Sequence, residues 1–88
     1  MQKLRKLPEK FLASEVDGEL ILVHGETGAF FALKDTGLEI WKSFESEMEL
    51  GLICDHLVGV YDISHEACQA SVHSFADQLV DAGFAAYA

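Results

Sequence analysis

An α+β domain, with a three-stranded antiparallel meander followed by three helices (βββααα), is the fold class that this chain of 88 residues predicts. Three observations carry the prediction. Two strand-like runs flank the dipeptide Asp17-Gly18. From Thr36 onward the apolar residues change from alternation to helical spacing, with Ser or Thr ahead of each run. Half of the residues are hydrophobic and about a quarter charged, the composition of one globular domain with one core.

Phe11–Val16 (FLASEV) and Glu19–His24 (ELILVH) form the first hairpin. Asp-Gly suits its two-residue turn because both central positions need a positive φ. Gly25-Glu26-Thr27-Gly28 reads as a second turn, without the spacing or the following helix of a phosphate loop. It leads to a third strand, residues 29–33, which lies at the edge of the meander.

The helices follow in order. Thr36-Gly37-Leu38-Glu39 has capping-box spacing, and Gly37, Ile40, Trp41 and Phe44 repeat at helical intervals. Trp41 reads as the anchor of this helix on the sheet, beside Phe44 and Leu33. Ser46-Glu47-Met48-Glu49 reads as a second capping box, opening a helix whose stripe is Leu50, Ile53, Cys54, Leu57 and Tyr61. Ser64 caps the third helix, with Ile63 placed to staple against Cys68. Its stripe is Cys68, Val72, Phe75, Leu79 and Ala82, and Gly83 stops it. Residues 1–10, which hold Lys3, Arg5, Lys6 and Lys10, read as a flexible basic segment ahead of a domain spanning 11–88.

Net charge is −9, and Lys34 and Lys42 are the only basic residues after residue 10. Nucleic-acid binding rests on phosphate neutralisation, so an acidic body disfavours it and suits a basic partner instead. The apolar runs are about five residues, far short of the ~20 that span a bilayer. Two cysteines and no secretory leader predict reduced thiols in a cytoplasmic protein.

Little in the sequence points to chemistry. His65, Glu66 and Cys68 are close on one helix, but His24, His56, His73 and Cys54 add no paired metal-ligand spacing, and zinc wants three or four protein ligands. Cys54 and Cys68 both fall on apolar stripes, where cysteine acts as a small hydrophobe. The histidines read as surface or boundary residues, with His73 a candidate flank of a groove. Asp77 and Asp81, four apart, read as a solvated face or as a rim attracting a basic peptide. No cofactor and no catalytic group are expected.

The third strand poses a problem. If Phe31 and Leu33 point inward, Phe30 and Ala32 point outward, so the strand is apolar on both faces. A bare apolar edge is normally blunted by charge, proline or a bulge. Either another part of this chain covers it, such as the N-terminal arm, or an outside chain pairs with it. The residues alone leave both open.

The stretch from 18 to 41, containing "LILVHGETGAFFALKDTGLEIW", resembles the PqqD-like family, the peptide-recognition elements of ribosomally made, modified peptides. The likeness rests on Thr27-Gly28, Phe30-Phe31, Leu33 and Thr36-Gly37-Leu38-Glu39-Ile40-Trp41, then on Gly83-Phe84 closing the last helix, and spans about residues 11–84. Lys34-Asp35 departs from the family's usual Asn after the strand. The resemblance implies a winged-helix-like fold that binds a precursor's leader peptide as an added strand between the third strand and third helix. It implies peptide contacts at Ala29, Phe30, Phe31, Ala32 and Leu33, and a wall of Val72, Phe75, Ala76 and Leu79. The implied partners are the leader peptide and a modifying enzyme, such as a radical-SAM enzyme, a leader peptidase or a cyclase. Quinone-cofactor, lasso-peptide and other pathways all fit, and the chain would be a monomer or a weak homodimer. The rival is a winged-helix DNA-binding regulator, for which "SHEACQASVHSFADQLVDAG" supplies no Lys or Arg.

Overall fold

The structure, a computed structural model, describes residues 2–88. In order, β1 (Lys3–Lys6) and a 3-10 turn (Pro8–Lys10) precede the meander β2 (Phe11–Val16), β3 (Glu19–His24) and β4 (Phe30–Leu33). Then come α1 (Asp35–Lys42), β5 (Glu47–Glu49), α2 (Leu50–Val60), α3 (His65–Asp81) and β6 (Ala85–Tyr87). The strands make two antiparallel sheets, ordered β2-β3-β4 and β5-β1-β6.

The meander forms as its turns dictate. Asp17 and Gly18 both have positive φ, 51° and 81°, as a tight hairpin turn needs. At the second turn His24 N–H donates to Ala29 O at 2.8 Å and Gly28 N–H to His24 O at 3.0 Å. Gly28 takes the left-handed φ of 74° that fits this bulged closure. Across β3 and β4 the register is Leu20–Leu33, Ile21–Ala32, Leu22–Phe31 and Val23–Phe30.

The second sheet departs from the expected βββααα order. The basic segment expected to be flexible is, from Lys3 to Lys6, the central strand of that sheet, with Leu4 fully buried. It pairs KLRK with the acidic EME of β5, Lys3 opposite Glu49 and Arg5 opposite Glu47, so unlike charges face one another across the strands. That pairing also overrides the second capping box. Glu47–Glu49 is strand, α2 begins at Leu50, and no side chain caps it. The first box makes no cap bond either; α1 starts at Asp35, at φ 52°. Only Ser64 caps as expected, its Oγ accepting from Ala67 N–H at 3.1 Å.

One core joins these parts. Phe84, fully buried, stands at its centre and meets Phe11, Phe31 and His24 with ring centroids 5.9–6.3 Å apart. Trp41 anchors α1 there, 5.7 Å from Phe11 and 6.3 Å from Phe44. Lys6 closes the end of α1: its Nζ donates to Trp41 O at 2.7 Å and Phe44 O at 2.6 Å, above both rings. Burial pulls its pKa down to about 8, against the pull of Glu45. Ile63, expected to staple against Cys68, lies in the loop between α2 and α3 and is exposed.

Candidate functional site

The two edges of the meander are unlike. Along β2, Glu15 pairs with Lys42 at 3.0 Å and places charge at the edge, a usual guard against stray pairing. Along β4 the sequence is Phe-Phe-Ala-Leu, and no strand covers it among the described residues.

Hydrogen-bond parity decides what that open edge offers. His24 and Ala29 form a bonded pair, so by antiparallel alternation Leu22–Phe31 and Leu20–Leu33 are bonded too. The N–H and C=O groups of Phe31 and Leu33 and the C=O of Ala29 are turned towards β3, while Ala29 N–H donates to Thr27 Oγ1 at 3.2 Å within the turn. Those of Phe30 and Ala32 face outward along the edge. Of the five residues 29–33, two therefore present a backbone template.

Side chains follow the opposite logic. Leu33 is buried and Phe31 half-buried, both turned to the helices, whereas Phe30 and Ala32 are exposed on the far face. Phe31 meets Phe75 of α3 edge-on at 6.4 Å. Beside this pair a cavity of about 390 Å³ opens between the helices, lined by Thr36, Gly37 and Ile40, by Cys68, Ser71 and Phe75, and by Leu57 and Ile63. Gly37 has a packing reason: a Cβ there would stand 3.3 Å from Phe75 Cε1 and 3.9 Å from Leu33 Cδ2. A second depression, of about 310 Å³, lies away from the edge over Lys3, Glu47–Glu49 and Leu52.

Of the wall expected on α3, only Phe75 reaches the groove. Val72, Ala76 and Leu79 are fully buried in the core behind it. On α3 the cavity is lined by Cys68 and by Ser71, one turn before Phe75, as well as by Phe75 itself; periodicity located the buried stripe but not the flank that carries Ser71. Asp77 lies roughly 200° around the helix from Phe75 and accepts from the Tyr87 hydroxyl. It belongs to the β6 side, so the acidic residues do not rim this groove. His73 is likewise off it.

His24 overturns its reading as a surface or boundary residue. It is buried, and its Nδ1 accepts from Glu26 N–H at 3.2 Å and Thr27 N–H at 3.3 Å, holding the turn that launches β4. Its inward parity in β3, paired with Phe11, was the available signal.

The chemistry on offer is sparse. Burial, reinforced by Cys68, pushes the Cys54 thiol up to about 11, the reverse of nucleophile activation. Burial and then the Asp77 bond push Tyr87 up to about 12. No cluster of three His, Cys, Asp or Glu suited to a metal occurs among the described residues. No helix there is long and apolar enough to cross a membrane.

Comparison with known proteins agrees with this geometry. The sequence profile of the family described as "Coenzyme PQQ synthesis protein D (PqqD)" matches residues 19–85, from β3 to the start of β6. No individually curated protein matches the chain. Two solved structures share the fold. "TbiB1 in Complex with the TbiA(beta) Leader Peptide" aligns with a TM-score of 0.76 at 20% identity, over 91% of this chain and 93% of that one. "Lasso peptide synthetase B1 complexed with the leader peptide" aligns at 0.79 and 17% identity, over 94% and 96%. The turn, edge strand and helices that build the groove lie within the matched region, and the chain belongs to the PqqD family.

Proposed function

We propose that this chain is a non-catalytic recognition domain for the leader of a ribosomally made precursor peptide, and that it presents the bound peptide to a modifying enzyme or leader peptidase. The leader adds to β4 as an antiparallel strand, bonded through the N–H and C=O groups of Phe30 and Ala32. Its inward side chains rest against Phe31 and Phe75. The observation that carries this reading is the apolar edge strand with outward backbone groups beside a groove, where most proteins place charge or proline. Membership of the PqqD family supports it, as do the leader peptides named with both structural neighbours. The DNA-binding alternative is disfavoured by a third helix without Lys or Arg and by the net charge of −9.

An amide NMR titration tests the reading, using a synthetic leader from the short open reading frame nearest the gene. Strand addition requires large shifts and slowed exchange at Phe30 and Ala32, smaller shifts at Ser71 and Phe75, and none with duplex DNA. Saturable shifts confined to other elements would reject it.

A further inference from the structure

The only two cysteines of the chain stand side by side, although 14 positions separate them in the sequence. Cys54 sits on α2 and Cys68 on α3, both free thiols and both buried. The Cys68 thiol donates to the Cys54 carbonyl oxygen at 3.8 Å, and the two thiols are hydrogen-bonded to each other. Packing of α2 on α3 asks only for small apolar side chains at these positions. Placing both sulfurs there brings two thiols within reach of one covalent bond.

We propose that Cys68 and Cys54 are a peroxide-oxidised pair whose disulfide ties α3 to α2 and lowers the affinity of the groove for the leader. The effect on affinity rests on the strand-addition reading given above; formation of the bridge does not. Access sets the two roles. Cys68 lines the cavity of about 390 Å³ beside the groove, and Cys54 lies behind it, outside that lining. The cavity exceeds the ~30 Å³ of a water many times over, so hydrogen peroxide fits. Burial, and then Cys68, raises the Cys54 thiol to about 11, so Cys54 does not begin the reaction. The Cys68 sulfur, as thiolate, attacks one peroxide oxygen; the O–O bond breaks, water leaves, and Cys68 becomes a sulfenic acid. The Cys54 sulfur then displaces the sulfenic oxygen, which leaves with the Cys54 proton as a second water. Two thiols have lost two electrons and two protons, and one peroxide has become two waters.

The bridge acts on the groove through α3. Cys68, Ser71 and Phe75 follow one another along the same flank at helical spacing, and all three line the cavity. Sulfurs in non-bonded contact close to about 2.0 Å in a disulfide, so bridging draws the first turns of α3 towards α2. Phe75 meets Phe31 of the edge strand at 6.4 Å, with Gly37 of α1 packed close against its ring. Close-packed side chains of this kind transmit a displacement rather than absorb it. The wall that receives the leader's inward side chains therefore moves, and affinity falls. Reduction by a small thiol reverses the change.

The test uses the full chain with hydrogen peroxide, dithiothreitol and the synthetic leader. Mass spectrometry of the folded wild type after peroxide should show the loss of two hydrogens, and peptide mapping a Cys54–Cys68 bridge within one chain. Cys54→Ala should instead gain one oxygen at Cys68, captured by dimedone, whereas Cys68→Ala should stay unmodified at Cys54. The bridged wild type should unfold at higher urea than the reduced form, because the cross-link restricts the unfolded chain. Its leader affinity should be at least about fivefold lower and return with dithiothreitol. Two intact thiols, a sulfinic acid at Cys68 without a bridge, or a disulfide-linked dimer would overturn the proposal. So would leader affinities within about twofold of each other in the bridged and reduced forms. A bridge in a chain that binds no leader in either form leaves the redox pair standing and overturns its part in recognition.

Discussion

Phe31 in β4 and Phe75 in α3 meet edge-on, with ring centroids 6.4 Å apart and planes 82° apart. Phe31 also meets Phe84 at 6.3 Å, so its side chain fastens the edge strand to the core. Its neighbours Phe30 and Ala32 are left with backbone groups facing outward. The template is therefore held in place before any peptide arrives, which lowers the ordering entropy of binding.

Backbone parity gives the first prediction. Ala32→Pro removes an N–H that faces the open edge, so leader affinity should fall at least about tenfold while the fold is kept, as proline is tolerated on edge strands. Phe31→Pro removes an N–H bonded to β3 and a half-buried ring, and should destabilise the domain by about 3 kcal/mol or more. Urea unfolding and fluorescence titration of both variants check the assignment. Equal loss of stability in the two would refute it.

A Cβ at Gly37 would press on Phe75 at 3.3 Å. Gly37→Ala should therefore shift the Phe75 ring into the groove and weaken leader binding several-fold. Phe75→Leu in the same chain removes the pressed edge and should recover part of that loss. The two substitutions are expected to be non-additive in a double-mutant cycle.

Gly83 combines a φ of 87° with a Cβ position only 2.9 Å from the His24 ring. Gly83→Ala should cost at least about 2 kcal/mol in urea unfolding. In a His24→Ala background the steric part disappears, leaving about 1 kcal/mol from the left-handed backbone. A full cost in both backgrounds would show that the His24 contact is not responsible.

Lys6 sets an alkaline signature. Its folded pKa, about 8, lies below the ordinary 10.5, so between those values the unfolded chain holds a proton that the native chain has released. Stability should rise with pH across that window. Cys54, raised from 9.0 to about 11, acts oppositely from pH 9 upward. Subtracting the urea profile of Lys6→Met from that of the wild type isolates the lysine. A flat difference between pH 8 and 10.5 would contradict the shift.

Legibility in the sequence followed the range of each interaction. Asp17-Gly18, the turn at Gly28 and the Ser64 cap depend on residues within a few positions of one another, and each formed where the residues put it. The alternation of Phe30, Phe31, Ala32 and Leu33 likewise put Phe31 and Leu33 on one face and Phe30 and Ala32 on the other, and packing against the helices decided which pair turns inward. The capping box at Ser46 failed because Leu4 pairs with Met48, and nothing local to 46–49 announces a strand from the other end of the chain. On α3 the stripe was visible, but the flank beside Phe75 that carries Ser71 was not. Val72, Ala76 and Leu79 were therefore taken for the wall when only Phe75 reaches it.

By itself, then, the sequence determined the meander, the three helices, the family motif and the bare apolar edge, because these depend on short-range φ preferences and side-chain period. The tertiary structure decided the second sheet, the burial of His24, the groove flank of α3 and the outward turn of the Phe30 and Ala32 backbone. The first three need groups far apart in the chain to meet, and the backbone turn follows from the His24–Ala29 pairing that the folded turn sets. Their stabilisation comes from burial and pairing that exist only once the core has closed around Phe84.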